Sequence, residues 1–300
     1  MKNFRMNYIL SLVIIHFVPI IAFAQLDSLR TKLECIVGCA KGNIGVAIQG
    51  LENNDTLSIN GNGIFPMQSV YKFPLALTVL DQVDKGKLSL DQQIYLKKDD
   101  LLPKTWSPLR EKYPNGNINI TLDELLTYTV SESDNNGCDI LFRLVGGTNI
   151  VDQYVHNLGI TNIAIVATEE EMAKDWEVQY RNWSSPVAMG RLLYMFYHGK
   201  ILSKKSEDYL MQLMVKTNLH TRRLKGLLPK GTIVAHKSGS SGTNDNGLAA
   251  ATNDMGIVTL PNGRHFAIVI FISNSKADEK VRDEVIAYIS KTVWDYFSVQ

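Results

Sequence analysis

The chain has 300 residues, 45% of them hydrophobic, which allows two small domains or one large domain with a composite core. Its 31 basic and 30 acidic residues give a formal net charge of +1 without a basic block, which argues against nucleic acid as a partner. The 6 histidines never pair at ligand spacing and no Cys-x-x-Cys motif occurs, so we expect neither a metal site nor a cofactor.

Residues 1–24 have the pattern of a secretory signal peptide. Lys2 and Arg5 precede an apolar run from Ile9 to Phe23, and an Ala-x-Ala exit ends at Ala24, before Gln25. An uncleaved membrane anchor is the alternative, but the run is short for a bilayer. We therefore expect a mature periplasmic chain that begins at Gln25, is monomeric and has no stable membrane association.

The cysteines give no disulfide framework. Cys35 and Cys39 are four residues apart in a predicted helix, where a disulfide would be strained, and Cys138 is the third. We expect all three to be small buried apolar residues.

A helix and a strand hairpin are predicted first. Apolar residues recur at helical spacing from Leu26 to Val37, and they alternate from Ile44 to Ile48 and again at Leu57 and Ile59. A helix that carries Ser69 follows and is predicted to end near Asp84, before Gly86.

The middle of the chain is predicted to be helical. Its helices are expected to start at the capping box Thr121–Glu124, at Thr148, at Ser185-Pro186 and at Ser203. Short strands return at Thr232 to Lys237, Leu248 to Thr252, Met255 to Leu260 and His265 to Ile272, before a closing helix from about Asp278 to Phe297. Strands near both ends with helices between them predict one antiparallel sheet flanked by helices, an inserted helical domain, and a cleft where the two meet.

A serine and a lysine on one helical face indicate nucleophilic chemistry. Ser69 and Lys72 are three residues apart, so the amine can take part in removing the hydroxyl proton, and free N–H groups at the start of a helix can face an oxyanion. Ser-x-x-Lys is a weak pattern, however, and it recurs at Ser273–Lys276, which we interpret as a solvated loop.

Three further stretches indicate a function only when they are considered together. Ser133-Asp134-Asn135 is predicted to lie on a connection between helices, and Lys237-Ser238-Gly239 to end a strand at the sheet edge facing the helical part. A polar loop from about Ala167 to Ser184 contains three consecutive glutamates, Glu169–Glu171. Taken alone, Ser-Asp-Asn would indicate a turn, Lys-Ser-Gly the end of a strand, and the glutamates a solvent-exposed surface.

In this order, Ser-x-x-Lys, Ser-Asp-Asn and Lys-Ser-Gly form the motif set of class A β-lactamases and penicillin-binding proteins. The chain resembles the class A serine β-lactamases over nearly the whole mature length, and in particular the extended-spectrum VEB/PER-type subgroup. Further stretches that carry the resemblance are Pro66–Ser69, Ser131–Asn135, Arg223–Gly226, Val234–Lys237 and Ala251–Asp254.

The resemblance implies an α/β (α+β) fold of the β-lactamase/penicillin-binding-protein type. A five-stranded antiparallel sheet flanked by helices is expected from residues 25–64 and 217–300. An all-helical domain is expected from residues 65–216, including an Ω-type loop at 167–184, with the active site in the cleft between the two parts.

The resemblance also implies roles in acylation. Ser69 would attack the lactam carbonyl, with Lys72 in its proton network and the backbone N–H groups of Ser69 and Ser240 as the oxyanion hole. Ser133 would pass a proton to the departing nitrogen. Glu169 would direct water onto the acyl-serine, a choice of glutamate that Met172 supports by fixing the register.

The remaining expected residues hold the substrate. Lys237, Ser238 and Gly239 would bind its carboxylate end, and Asn135 its side-chain amide. Trp106 would be an aromatic gatekeeper beside the cleft, with a half-buried surface tryptophan as the alternative. Arg223 would supply an extra guanidinium for the carboxylate, with a plain surface charge as the alternative.

Several positions depart from the family pattern. Ala167 and Ala173 stand where most members have arginine and asparagine, Asn182 stands in place of the loop-closing acid, and Thr168 replaces the asparagine of the subgroup. We therefore expect a loop that is held differently and a roomier site that admits bulky oxyimino-cephalosporins. The alternative functions are a penicillin-binding D,D-peptidase and a non-hydrolytic β-lactam sensor domain.

Overall fold

The computed structural model describes residues 25–53 and 55–299, so the expected signal peptide lies outside the described residues. The helices are α1 (25–37), α2 (Lys72–Asp84), α3 (Pro108–Lys112), α4 (Leu122–Ser131), α5 (Asn135–Val145), α6 (Thr148–Asn157), α7 (Glu169–Met172), α8 (Pro186–Tyr197), α9 (Lys204–Lys216) and α10 (Glu279–Ser298). The strands are β1 (Asn43–Gly50), β2 (Thr56–Ile59), β3 (Phe65–Pro66), β4 (Gln93–Leu96), β5 (Ile118–Thr121), β6 (Ile163–Ala164), β7 (Trp183–Ser184), β8 (Val234–Ser240), β9 (Ala249–Thr259) and β10 (His265–Ser275). Within the described ranges, no helix combines the length and apolar character needed to cross a membrane.

One antiparallel five-stranded sheet is built from both ends of the chain, as predicted. Its strand order is β2-β1-β10-β9-β8, with Val46 opposite Ile270 and Lys237 opposite Met255. β8 is an edge strand, so the Lys-Ser-Gly motif lies where the sheet meets the helices.

The sheet separates two hydrophobic cores because neighbouring side chains of a strand point to opposite faces. On β10, Phe266, Ile268 and Ile270 pack with residues of α1 and α10, while Val269 and Phe271 face the core shared with the helices from α2 to α9. Both faces are therefore covered, and the strands contain almost continuous apolar runs.

The predicted break between residues 252 and 255 is wrong, since β9 is one continuous strand. Asn253 and Asp254 are polar but fully buried. The Asn253 amide donates to Pro66 O (2.8 Å) and Met67 O (3.1 Å), and the Asp254 carboxylate lies 2.9 Å from Nδ1 of His236. These tertiary hydrogen bonds pair the Asn253 Nδ2 group and the Asp254 carboxylate, so no turn is needed to bring them to solvent.

The predicted helix starts are confirmed at Thr121, Ser185 and Ser203, whose side chains accept hydrogen bonds from the backbone three residues later. Thr148 is different: it is the first helical residue, and Gly147 occupies the cap position.

Two expectations about small polar residues are wrong. Ser273 and Ser275 are buried in β10, not solvated in a loop, because Ser275 bonds to the carbonyl of Ala40 and Ser273 is opposite Asn43. Cys138 is buried as expected, but Cys35 and Cys39 are exposed because they lie on the solvent side of the first helix and the turn after it.

Candidate active site

Ser69 lies in a short 3-10 turn, Gln68–Tyr71, that leads directly into α2. Its side chain is half-buried, whereas Lys72 is fully buried and donates from Nζ to Ser69 Oγ over 3.0 Å. Gln68, just before the serine, has a φ of +45°, and its side chain is fixed by a 2.7 Å hydrogen bond to Gln179. The apolar surroundings of α2 thus hold a hydroxyl and an amine in contact at the cleft.

The Lys72 ammonium joins the predicted catalytic residues. Besides Ser69 it donates to Ser133 O at 2.9 Å and to Asn135 Oδ1 at 2.6 Å, which uses the three protons that an ammonium carries. Glu169 Oε1 also lies 2.9 Å from Nζ, as an ion pair without a hydrogen bond. The residue is only 8% exposed, so this ion pair is shielded from solvent.

Ser133 is aimed by its backbone and by Lys237. Its φ is +56°, and Lys237 Nζ donates to its Oγ at 2.8 Å. Burial and the nearby charge of Lys72 lower the pKa of Lys237 to about 7. The ammonium can thus give up or regain its proton near neutral pH, close to the hydroxyl expected to protonate the leaving group.

Asp134 fixes the connection that carries Ser133 and Asn135. Its buried carboxylate accepts from Gly137 N, capping α5, and from Ser107 Oγ and Leu109 N. The loop before α3 is thereby bound to the Ser-Asp-Asn motif.

Trp106 and Thr105 belong to that loop. The Trp106 carbonyl accepts from Asn135 N at 3.0 Å, so the residue lies beside the cleft, with its ring 52% exposed and Nε1 bonded to Glu132 O. Thr105 Oγ1 accepts from Asn135 Nδ2 at 2.6 Å. The two ends of the Asn135 amide are therefore held by Lys72 and Thr105.

Gly239 lets the edge strand approach the nucleophile. A Cβ atom at this position would lie 2.9 Å from Ser69 N and 3.1 Å from Met67 O. The first contact is shorter than real Cβ atoms make and the second is tight, and both are with backbone atoms, so the close approach favours glycine. Ser240, the next residue, is exposed.

Arg223 is not the plain surface charge that was the alternative interpretation. It is fully buried and pairs with Asp283 at 2.8 Å, while Nη1 donates to the carbonyls of Gly239 and Asn253. Its Nη2 reaches Ser240 Oγ at 2.6 Å. Its charge therefore acts on the cleft through Ser240.

Asp139 positions the helix that carries Glu169. Its two carboxylate oxygens accept from Glu169 N at 2.8 Å and Glu170 N at 2.9 Å. Burial and the charge of Glu169 raise the pKa of Asp139 to about 6. Glu170 and Glu171 are exposed, as expected.

Asn182 joins the two ends of the loop, at the position where it replaces the acidic residue of the family's usual ion pair. Its Oδ1 accepts from Val166 N (2.8 Å) and Ala167 N (2.9 Å), and its Nδ2 donates to Ala167 O (2.8 Å). A single neutral side chain thus joins the two ends of the 167–184 segment, which contains α7 and a 3-10 helix, Trp176–Arg181.

Sequence reasoning missed Asp139 and His220. Asp139 lies four residues after Asn135 and so on the same side of α5, a spacing that could have suggested it. His220 approaches Ser238 from a connection between α9 and β8, and no local pattern indicates this contact. Across residues 25–53 and 55–299, no cluster of three or more histidine, cysteine or acidic side chains could hold a metal.

Comparisons with known proteins identify the family of the chain. Residues 28–297 match the sequence profile described as "Beta-lactamase enzyme family". The chain is 48% identical to β-lactamase VEB-1 of Pseudomonas aeruginosa over 96% of this chain and 97% of that protein, and 40% identical to the extended-spectrum β-lactamase PER-1 of the same species over 95% and 92%. Among solved structures, a β-lactamase from Chitinophaga pinensis is 58% identical, with a TM-score of 0.88 over 89% of this chain and 98% of that one. The TLA-1 extended-spectrum β-lactamase is 55% identical, with a TM-score of 0.89 over 91% and 99%.

Proposed function

Since the chain belongs to the class A β-lactamases, which hydrolyse β-lactams, we propose that it acts through an acyl-enzyme on Ser69 that is deacylated by water activated by Glu169. The observation that carries this proposal is the position of one ammonium group. Lys72 Nζ lies 3.0 Å from the Ser69 hydroxyl and 2.9 Å from the Glu169 carboxylate. The nucleophile and the base thus lie against the same ammonium group.

In acylation, Ser69 Oγ attacks the lactam carbonyl, and Lys72 takes the Ser69 proton as it passes one of its own three protons on to Ser133. The resulting oxyanion is held by the backbone N–H groups of Ser69 and Ser240, and a lost donor in such a site typically costs about 2.7–4 kcal/mol. The C–N bond of the lactam then breaks, and Ser133 passes a proton to the nitrogen. Lys237 donates to Ser133 Oγ and so keeps that hydroxyl oriented.

In deacylation, Glu169 removes a proton from a water molecule as the water attacks the ester. The buried carboxylate lies against the same ammonium that contacts Ser69, and this position supports the role. The ester bond then breaks, and the proton returns to Ser69 Oγ.

For substrate binding, we propose that Lys237 and Ser238 hold the carboxylate beside Gly239, with Arg223 acting through Ser240. Asn135 holds the side-chain amide, and Trp106 borders the entrance.

An extended spectrum is supported by a 220 Å³ cavity beside Glu169. Its lining includes Leu102, Pro103 and Ala173, so its surface is largely apolar and suits a bulky oxyimino side chain. Ala173 leaves this space open where most family members have asparagine.

The N-terminal pattern supports export to the periplasm and a soluble mature chain from Gln25. We propose a monomer that acts on small β-lactam antibiotics, without nucleic acid as a partner.

The test compares the mature chain with Glu169→Ala and, as a matched control, Glu170→Ala, which removes an exposed carboxylate paired with Lys174. A chromogenic cephalosporin and intact-mass detection are used together. We expect rapid turnover by the parent and by Glu170→Ala, and an accumulating covalent adduct on Glu169→Ala. A stable adduct on the parent would indicate a penicillin-binding D,D-peptidase or a sensor. Undiminished turnover by Glu169→Ala would assign the base to another residue.

A further inference from the structure

His220 touches the proposed carboxylate site from the connection between α9 and β8. Its Nδ1 lies 2.8 Å from Ser238 Oγ, and its ring is half-buried. Its backbone has a φ of +51°, and its carbonyl accepts from Arg223 N at 2.9 Å. The turn therefore fixes the ring against a hydroxyl that nothing else in the described ranges holds.

The protonation of this ring is set by its surroundings. Burial, together with the adjacent charge of Arg223, lowers the pKa of His220 to about 4. The ring is therefore neutral near pH 7, and only one of its nitrogens carries a proton. Its Nε2 has no hydrogen-bond partner among the described residues, so the protein itself does not select the tautomer.

Once substrate is bound, the hydrogen-bond donors and acceptors around Ser238 determine which nitrogen of His220 carries the proton. An ionised carboxylate only accepts hydrogen bonds, and a serine hydroxyl has one proton to give. If Ser238 gives that proton to the substrate, its oxygen can only accept from His220. Nδ1 must then be the protonated nitrogen. With the proton on Nε2 instead, Nδ1 would compete with the substrate for the Ser238 proton.

We propose that His220 is a positioning residue for substrate recognition, whose Nδ1–H donates to Ser238 Oγ and directs the Ser238 proton toward the β-lactam carboxylate. This inference rests on the proposed function, because it requires Ser238 to bind that carboxylate. It assigns His220 to substrate affinity, since neither ring nitrogen contacts Ser69, Lys72 or Glu169.

The test uses two substitutions that tolerate the positive φ, which an alanine would strain. His220→Gly removes the ring, and we expect KM for a carboxylate-bearing cephalosporin to rise about tenfold with kcat nearly unchanged, since one hydrogen bond that supports an ionic contact is lost. His220→Asn retains an N–H donor close to the position of Nδ1. We expect it to restore most of the parent KM.

Two controls separate positioning from a structural effect. Thr221→Gly adds a glycine to the same exposed turn without touching Ser238, and should leave KM unchanged. In a Ser238→Ala background, His220→Gly should have almost no further effect on KM, because its target is absent.

The proposal is overturned if His220→Gly leaves KM unchanged, if kcat falls instead of KM rising, if Asn fails to restore KM, or if the loss persists in the Ser238→Ala background. These results are distinct from failure of the proposed function, which the parent itself would show as a stable adduct or an absence of turnover.

Discussion

Replacing Asp139 with alanine should slow deacylation far more than acylation. The Asp139 carboxylate binds the first two backbone N–H groups of α7, at Glu169 and Glu170. The first N–H groups of a helix have no intrahelical partners. With only 4 residues, α7 is also too short to be stabilised by its own hydrogen bonds. The position of Glu169 therefore depends on Asp139.

The magnitude follows from the two hydrogen bonds. Each bond to a charged acceptor contributes about 1.5–3 kcal/mol, although water can replace part of this once the loop opens. If about 3 kcal/mol of the bias toward the closed loop is lost, the ratio of correctly placed to displaced Glu169 falls about a hundredfold. Asp139→Asn keeps one acceptor oxygen, but its amide N–H would face the second of the two backbone N–H groups. We therefore expect the ratio of correctly placed to displaced Glu169 to fall only about tenfold.

The assay is stopped-flow turnover with quenched intact-mass measurement. A burst followed by slow steady-state release, with the acyl-enzyme as the main species, is expected for Asp139→Ala. Asp100→Ala, which removes a carboxylate from an exposed pair with Arg143, is the control and should behave like the parent. Equal slowing of both steps, or unchanged release, would refute the idea that Asp139 holds the base in place.

Two further changes test the edge strand. Gly239→Ala places a Cβ atom 2.9 Å from Ser69 N, so it should displace the nucleophile and lower kcat/KM about a hundredfold or more, a loss of one oxyanion contact; parent-like kcat/KM would contradict this. For Lys237, whose pKa is about 7, deprotonation removes the positive charge as the pH rises, so KM for carboxylate substrates should increase above pH 7. A flat KM profile between pH 6 and about 9 would show that substrate binding does not depend on this charge.

The catalytic motifs could be predicted from sequence because each is local. Ser69 and Lys72 meet through one helical turn, and Ser133 is aimed by the backbone of its own connection. His220 could not be predicted, because its contact with Ser238 joins residues from two elements. Nothing in the intervening sequence indicates that its turn folds back on β8.

The errors in the strands have a related cause. A polar pair such as Asn253-Asp254 ordinarily indicates a turn, since burial of unpaired polar groups is costly. Here the partners are Pro66 and His236, which are distant in sequence. The surface-charge alternative for Arg223 is wrong for the same reason, because Asp283 on α10 makes burial of its guanidinium possible.

The loop that carries Glu169 shows how the departures from the family pattern compensate one another. Asn182 uses the acceptor and the donor of one amide to join the ends of the loop, which avoids the desolvation of a buried ion pair. Asp139 then fixes the start of α7 from the neighbouring helix, so no residue at position 173 is needed to hold the loop. Ala173 is therefore free to be small, and the space it leaves forms part of the cavity beside the base. Asn182 and Asp139 thus stabilise the loop, whereas Ala173 sets the width of the site. The site can therefore be wide without displacing Glu169.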